Sequence, residues 1–456
     1  MNKIEGDSKD GLYGLTNRCE KILNLTSCWF GWKLTPIKTL CITIQERHRI
    51  LDVASGALLT MLVLGFIWAH LDPFGLGRTS DMYSEKIINR VMSPFYKSHG
   101  QEAIAVVLID EDSLEDQEIG WPPTYDYYSQ LLYRVMRQRP KAIFVDILLE
   151  RERPSDAESL SLARHDLAEY MNEFNIPIVL AQSHPDTVNL FSNISEISSA
   201  LTAWEDNDYP LLIPSGSKDN QELTWHPTVA MKLFELMSQS PLKELSQQNL
   251  VVQWGSATPS LTRDNKLLGD VDYQFVEPTM LERWYKAGAL LTHSVLTGLD
   301  ENSVDNNRLL SPYTLTIQAH ELAIESRRGL LENKVVLIGA KVDGINDMIE
   351  TPANGLLPGV YQHAMALDNL MKYGDNYYKR PPFPKYLFIL IAIVLSLASS
   401  YLMVKQNIRG FKIYTLAVVV VIAACLTMYF GFHYAPQNWI GLALICALSN
   451  KFQNAS

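Results

Sequence analysis

Aspartates stand directly after two short apolar runs, and their carboxylates are the first candidates for chemistry. Asp110 follows the run 103–109, and Asp146 follows the run 142–145. Carboxylates in such places bind cations or polar ligands, but they also cap turns and hold loops through backbone amides. Both interpretations stay open. The full set of candidate ligand-binding residues is Asp110, Asp112, Trp121, Asp146, Asp347 and His363.

The elements that must position these side chains are β-rich apolar runs separated by amphipathic helical stretches. The runs cover 103–109, 142–145, 178–180 and 334–338. Continuous apolar runs of this kind are typical of parallel strands that are covered on both faces. The sequence therefore predicts an α/β domain with a mostly parallel sheet and flanking helices.

The carboxyl ends of the strands in such a sheet are where ligands bind. This rule predicts Asp110, Asp146 and Gly339 along one rim, with Asp347 and His363 close by. His363 is either a packing residue at a loop–helix junction or a ligand contact. Trp121 either anchors a turn or forms a rim aromatic over a pocket.

Four uncharged apolar stretches predict membrane spans, since a bilayer core of about 30 Å needs roughly 20 apolar residues in a helix. The fourth stretch is short, so it either recruits neighbouring residues or is partly re-entrant. The first is a signal anchor rather than a cleaved signal peptide, because 49 residues precede it. The predicted organisation is a cytosolic tail (1–49), a span (50–70), an extracytoplasmic α/β domain (71–385), three further spans (386–404, 413–433 and 437–450) and a short tail (451–456).

Positive charge in short segments sets the predicted orientation. Arg47 and Arg49 precede the first span, and Lys405, Arg409 and Lys412 fill the loop between the second and third spans. Such residues stay in the cytoplasm. The 71–385 segment, which holds the acidic excess of a chain of net charge −11 and none of its five cysteines, therefore faces outward. We expect a multi-pass protein of the inner (plasma) membrane, in contact with lipid, with both termini in the cytosol.

Motifs for several kinds of chemistry are missing from the sequence. It contains no phosphate-binding G-x-x-x-x-G-K-[ST] loop and no G-x-S-x-G elbow. His320-Glu321 begins like a zinc-protease motif, but Ile324 stands where the second histidine would be. We therefore predict no catalytic residue, no metal and no cofactor, and the acidic outward domain disfavours nucleic-acid binding.

Two blocks of sequence resemble the CHASE-type extracytoplasmic sensory domain of the second type, which is associated with bacterial cyclases and histidine kinases. The opening block comprises VVLIDEDSL (106–114), GWP (120–122) and RPKAIFVDIL (139–148). The closing block comprises KVVLIGA (334–340), Asp347, TP (351–352), LPGV (357–360), HA (363–364) and DNL (368–370). The resemblance covers roughly 75–450, and the plan of one span before the domain and three after it is also that of the family. It implies an outward-facing sensor coupled through its spans to a cytosolic enzyme.

The leading hypothesis is a non-enzymatic sensor or receptor subunit. Because only residues 450–456 follow the last apolar stretch, we expect the signal to pass to a separate cytosolic or membrane effector protein. A homodimer or higher oligomer would let the outward domains reorient the spans. The alternative is a structural scaffold subunit with no small ligand. A third hypothesis is a metal-dependent hydrolase that uses the rim of Asp110, Asp146 and Asp347.

Overall fold

Six parallel strands form the centre of the fold, in the order β4-β3-β2-β10-β1-β9. The computed structural model describes residues 76–97, 100–205, 207–216, 223–238, 248–256, 279–296, 312–345, 347–381, 423 and 426–435. The strands of this sheet are β1 (Ile104–Asp110), β2 (Ala142–Val145), β3 (Ile178–Gln182), β4 (Ile197–Leu201), β9 (Leu315–Gln318) and β10 (Val335–Lys341). The predicted parallel α/β domain is confirmed.

Helices cover both faces of this sheet, which explains why its central strands are apolar throughout. The helices are α1 (Leu76–Met92), α2 (Gly100–Ala103), α3 (Glu111–Glu115), α4 (Tyr125–Met136), α5 (Ala157–Phe174), α6 (Val229–Met237), α7 (Met280–Leu296) and α8 (Val360–Tyr373). In β1, Val106 and Leu108 pack with α6 and α8, whereas Val107 and Ile109 pack with α4 and α5. The sheet therefore separates two buried cores.

Among the described residues, three short antiparallel pairs lie outside the central sheet. The remaining strands are β5 (Asp208–Tyr209), β6 (Leu212–Ser215), β7 (Thr224–Pro227), β8 (Leu250–Val251), β11 (Met348–Thr351) and β12 (Gly355–Pro358). They pair as β5 with β8, β6 with β7, and β11 with β12.

Gly339 allows α8 to approach the sheet closely. A Cβ atom on Gly339 would lie 2.6 Å from the Cβ atom of Val360, at the first position of α8. Contacts that short do not occur between real side chains, so any larger residue would push the helix away. Gly339 lies inside β10, which continues to Lys341, and its role is to position α8.

Most of the predicted spans lie outside the described residues. The exception is the end of the third, where 423 and 426–433 are described and residues 426–432 are helical. Within the ranges given above, no helix has the length and apolar character needed to cross a membrane. The segment Ala424–Gln437 belongs to the same compact unit as Thr79–Pro382.

Candidate functional site

Asp146 and His363 face each other at the carboxyl edge of the sheet. Asp146 follows β2, and its backbone N–H donates to the Ile338 carbonyl at 2.8 Å, which extends the pairing with β10 by one residue. His363 lies in the first turns of α8 and is fully buried. The His363 Nε2 atom is 3.8 Å from the Asp146 Oδ1 atom, which is too far for a hydrogen bond.

The proton of His363 can be placed from its neighbours. The Tyr209 hydroxyl accepts a hydrogen bond from the Ala230 backbone N–H at 3.1 Å and lies 2.7 Å from His363 Nδ1. We assign the Tyr209 hydroxyl as the donor and Nδ1 as the acceptor of this hydrogen bond. A neutral imidazole that accepts at Nδ1 carries its own hydrogen on Nε2. The Nε2–H donor of His363 consequently faces the carboxyl group of Asp146.

Two polar atoms at this edge are buried without a hydrogen-bond partner among the described residues. They are Asp146 Oδ2 and His363 Nε2. The side chain of Asp146 is 10% exposed and that of His363 is not exposed. An unpaired buried polar group costs about 1–3 kcal/mol of stability. A hydrogen bond from a further group to either atom would remove this cost.

Trp204 and Asp347 complete the site. The Trp204 ring packs edge-on against the His363 ring, with 5.1 Å between centroids. A Cβ atom on Gly359, just before α8, would lie 2.6 Å from Asp347 Oδ1 and 3.1 Å from Trp204 Cη2. Asp347 and Trp204 are therefore both seated against the start of α8. We call Asp146, Trp204, Asp347 and His363 the carboxyl-edge site.

Burial shifts the pKa of each titratable group at the carboxyl-edge site. Burial, and then the charge of Asp347, raise the pKa of Asp146 well above its usual value. Burial also raises the pKa of Asp347, against an opposing hydrogen bond from the Gly359 backbone N–H. Burial lowers the pKa of His363 to about 3. Each shift disfavours the charged form of the group.

The other three predicted residues do not belong to this group. Asp110 caps α3 by accepting a hydrogen bond from the Ser113 backbone N–H at 2.9 Å. Asp112 is exposed in the same helix. Trp121 packs against the core of α4 and α5, on the opposite face of the sheet from His363. The capping interpretation accounts for Asp110, and the ligand role of all three stays a prediction.

Asp110, Ser113 and His320 lie together without forming a hydrolytic triad. His320 Nδ1 is 3.1 Å from Ser113 Oγ and 3.6 Å from Asp110 Oδ1. A triad needs the two ring nitrogens to serve different partners, whereas here one nitrogen faces both, and Ser113 is buried. Within the described ranges, no group of three or more His, Cys, Asp or Glu side chains is placed to hold a metal ion.

Sequence reasoning missed Trp204 and Tyr209. Trp204 lies three residues beyond β4, and Tyr209 lies in the two-residue strand β5. The strand-end rule would have pointed to Trp204 if β4 had been predicted. No local pattern marks Tyr209, because its partner His363 lies 154 residues further along the chain.

The change Tyr209→Phe removes only the hydroxyl group that orients His363. It leaves His363 Nδ1 and the Ala230 N–H buried without a partner, so we expect a loss of about 2 kcal/mol in the free energy of unfolding. Thermal unfolding of the full chain measures the loss. Tyr83→Phe is the matched control, since Tyr83 is 43% exposed. Equal stability of the two variants would contradict the proposed orientation of His363.

The fold places a buried polar site at the carboxyl edge of a parallel sheet, which is the edge where such sheets bind ligands. The family model described as CHASE2 domain matches residues 58–401, which is more than half of the chain. The chain therefore belongs to the CHASE2 domain family, and the resemblance in its two sequence blocks is confirmed. CHASE2 domains are extracytoplasmic sensory domains rather than catalytic ones. Comparisons with curated proteins and with solved structures found no match.

Proposed function

We propose that this chain is a membrane-anchored sensor subunit whose extracytoplasmic domain binds its signal at the carboxyl-edge site. One observation carries the proposal: Asp146 Oδ2 and His363 Nε2 lack hydrogen-bond partners among the described residues, at the edge where ligands of parallel sheets bind. Membership of a sensory domain family supports it. A ligand that accepts a hydrogen bond from Nε2 and contacts the Asp146 carboxyl group would satisfy both atoms.

The signal then passes through the spans to a separate effector protein. A ligand shifts a conformational equilibrium only if it binds two states with different affinity. In this structure His363 Nε2 lies 3.8 Å from Asp146 Oδ1, and moving the two atoms less than 1 Å closer would form a hydrogen bond between them. The open arrangement and the hydrogen-bonded arrangement are such a pair of states. A homodimer or higher oligomer in the inner membrane would let this change reorient the spans.

A thermal-shift screen of the full chain in detergent, with small-molecule extracts of culture medium and of the cell envelope, tests ligand binding. A ligand at about a hundred times its Kd should raise the unfolding midpoint by about 5 °C. We expect Asp146→Asn to abolish this shift, because the amide cannot offer a carboxyl group to the ligand. Asp116→Asn, at an exposed aspartate outside the set of candidate ligand-binding residues, is the control and should retain it.

Two outcomes would reject this function. The first is a wild-type chain that no extract stabilises, and the second is a shift that Asp146→Asn retains in full. A stoichiometric partner that co-purifies from native membranes, and still does so after Asp110→Ala and Asp146→Ala are combined, would instead support the scaffold alternative.

A further inference from the structure

Residues 250–254, the junction segment, contact each described segment through which the domain joins a predicted span. Helix α1 follows the first predicted span, residues 376–381 precede the second, and residues 426–435 include the end of the third. The three meet on one short piece of chain. Any signal that leaves the domain has to pass into at least one of them.

The contact with α1 uses both ends of one buried amide. Asn89 Nδ2 donates to the Val252 carbonyl at 2.9 Å, and the Trp254 backbone N–H donates to Asn89 Oδ1 at 2.9 Å. Asn89 is 3% exposed. Because Asn89 and Trp254 are buried, these bonds are strong and hold α1 in register with the junction segment.

The contact with residues 376–381 combines a backbone hydrogen bond with an ion-pair network. The Val251 N–H donates to the Tyr378 carbonyl at 2.8 Å. Two residues later, Arg380 Nε lies 2.7 Å from Asp208 Oδ2, and Arg380 Nη1 lies 3.2 Å from Glu85 Oε2. Arg380 therefore ties the exit toward the second span both to β5 and to α1.

The third contact is made by the end of the third predicted span. Tyr429 donates its hydroxyl hydrogen to Gln253 Oε1. The Lys379 N–H donates to the His433 carbonyl at 3.0 Å, and the Ala435 N–H donates to the Lys379 carbonyl at 2.9 Å. A buried apolar cluster surrounds these contacts. It consists of Val251, Tyr378, Tyr429 and Ala435, and Ile88 and Met92 pack against it.

The same helical segment exposes apolar side chains away from the domain. Leu426, Phe430 and Phe432 are 37%, 55% and 64% exposed. A helix with one face on protein and an apolar face outward suits the boundary between a domain and a lipid bilayer. This agrees with the predicted topology, in which the loop after the third span lies on the same side as the domain.

Two connections join the junction segment to the carboxyl-edge site. Strand β8 pairs with β5, so that Leu250 is opposite Tyr209, the residue that orients His363. Gln253 exchanges two hydrogen bonds with Asn369 of α8, the helix that carries His363. A displacement of α8 or of Tyr209 therefore also displaces the junction segment, because Gln253 is hydrogen-bonded to α8 and Leu250 is paired with Tyr209.

We propose that the junction segment transmits the state of the carboxyl-edge site to the three membrane-directed segments, and that docking of Tyr429 on Gln253 makes the third span part of the output. This inference rests on the sensor function proposed above. It assigns the output to α1, residues 376–381 and residues 426–435 together rather than to a single connecting helix.

Hydrogen exchange of the full chain in lipid nanodiscs tests the proposal without a ligand. Tyr429→Phe removes one hydroxyl group at the junction, and Tyr209→Phe removes one at the site. Loss of one buried hydrogen bond is expected to speed exchange about fivefold. In Tyr429→Phe we expect the faster exchange at residues 250–254, in α1 and at residues 376–381. In Tyr209→Phe we expect it at residues 426–435.

Two references keep the result interpretable. Amides of α5, on the other face of the sheet, report any global destabilisation, so the expected effects are measured relative to them. Phe430→Leu is the matched control in the same segment and should leave residues 250–254 unchanged. Faster exchange confined to 426–435 in Tyr429→Phe, or no change there in Tyr209→Phe, would overturn the junction proposal. Either outcome leaves ligand binding at the carboxyl-edge site to its own test.

Discussion

Replacing Asn369 with leucine is expected to cost the full chain about 4 kcal/mol in its free energy of unfolding. Asn369 is completely buried in α8. Its Oδ1 atom accepts from the Gln253 N–H at 2.8 Å, and its Nδ2 atom donates to the Gln253 carbonyl at 2.9 Å and to the Tyr96 hydroxyl at 3.1 Å. Leucine has a similar volume but makes none of these bonds.

The size of the effect follows from the groups that the change leaves behind. Both backbone polar groups of Gln253 would be buried without these partners, at about 1–3 kcal/mol each. Asn369→Asp is also expected to destabilise the chain, because it retains the acceptor but loses the donor and buries a charge. The two variants together separate loss of hydrogen bonds from loss of packing.

Thermal unfolding in nanodiscs, compared with the same substitution at an exposed helical asparagine, measures this cost. Asn172 lies in α5 and is exposed, so Asn172→Leu should change stability by less than about 0.5 kcal/mol. If Asn369→Leu were as mild as Asn172→Leu, the hydrogen bonds between α8 and the junction segment would not contribute to the fold as described.

The centre of the sheet is predictable from sequence because burial on both faces imposes a continuous apolar pattern. Strands β1, β2, β3 and β10 have such runs. The edge strand β4 has the sequence ISSAL and the edge strand β9 has LTIQ. These strands are partly polar because each has only one neighbour and lies at the margin of the cores, so the pattern gives no strong signal there.

The candidate site was predictable to the extent that it depends on strand ends. The rule placed Asp146 with Asp347 and His363, which the fold brings together. It also placed Asp110 on the same rim, but β10 separates β1 from β2, and the carboxyl group of Asp110 is engaged by Ser113 and the start of α3. Tyr209 contributes through long-range packing alone, which no local pattern contains.

Removing the charge of Asp146 should change the pH dependence of stability. Burial and the neighbouring Asp347 raise the pKa of Asp146 above its unfolded value of 3.8. A group whose folded pKa is raised favours folding when protonated. Its full contribution is therefore present below about pH 4, and it is lost as pH rises from there through the folded pKa.

The difference in stability between Asp146→Asn and the wild type should therefore increase as pH rises. Asparagine does not titrate, so the variant avoids a loss of at most about 1.4 kcal/mol per pH unit. The other groups facing Asp146 are His363 from α8, Asp347 before β11 and Tyr209 from β5, and all three remain in both proteins. The lowered pKa of His363 makes both proteins less stable as pH falls below about 6.5, and this common loss cancels in the difference.

Unfolding midpoints of the full chain between pH 4.5 and pH 8 would measure this difference. Asp112→Asn, at an exposed aspartate, is the control and should run parallel to the wild type. Parallel curves for Asp146→Asn would mean that Asp146 is ionised in the folded protein throughout this range. In that case the Nε2–H group of His363 would already face a carboxylate. The carboxyl-edge site would then favour a positively charged ligand over a ligand that recognises the protonated carboxyl group of Asp146.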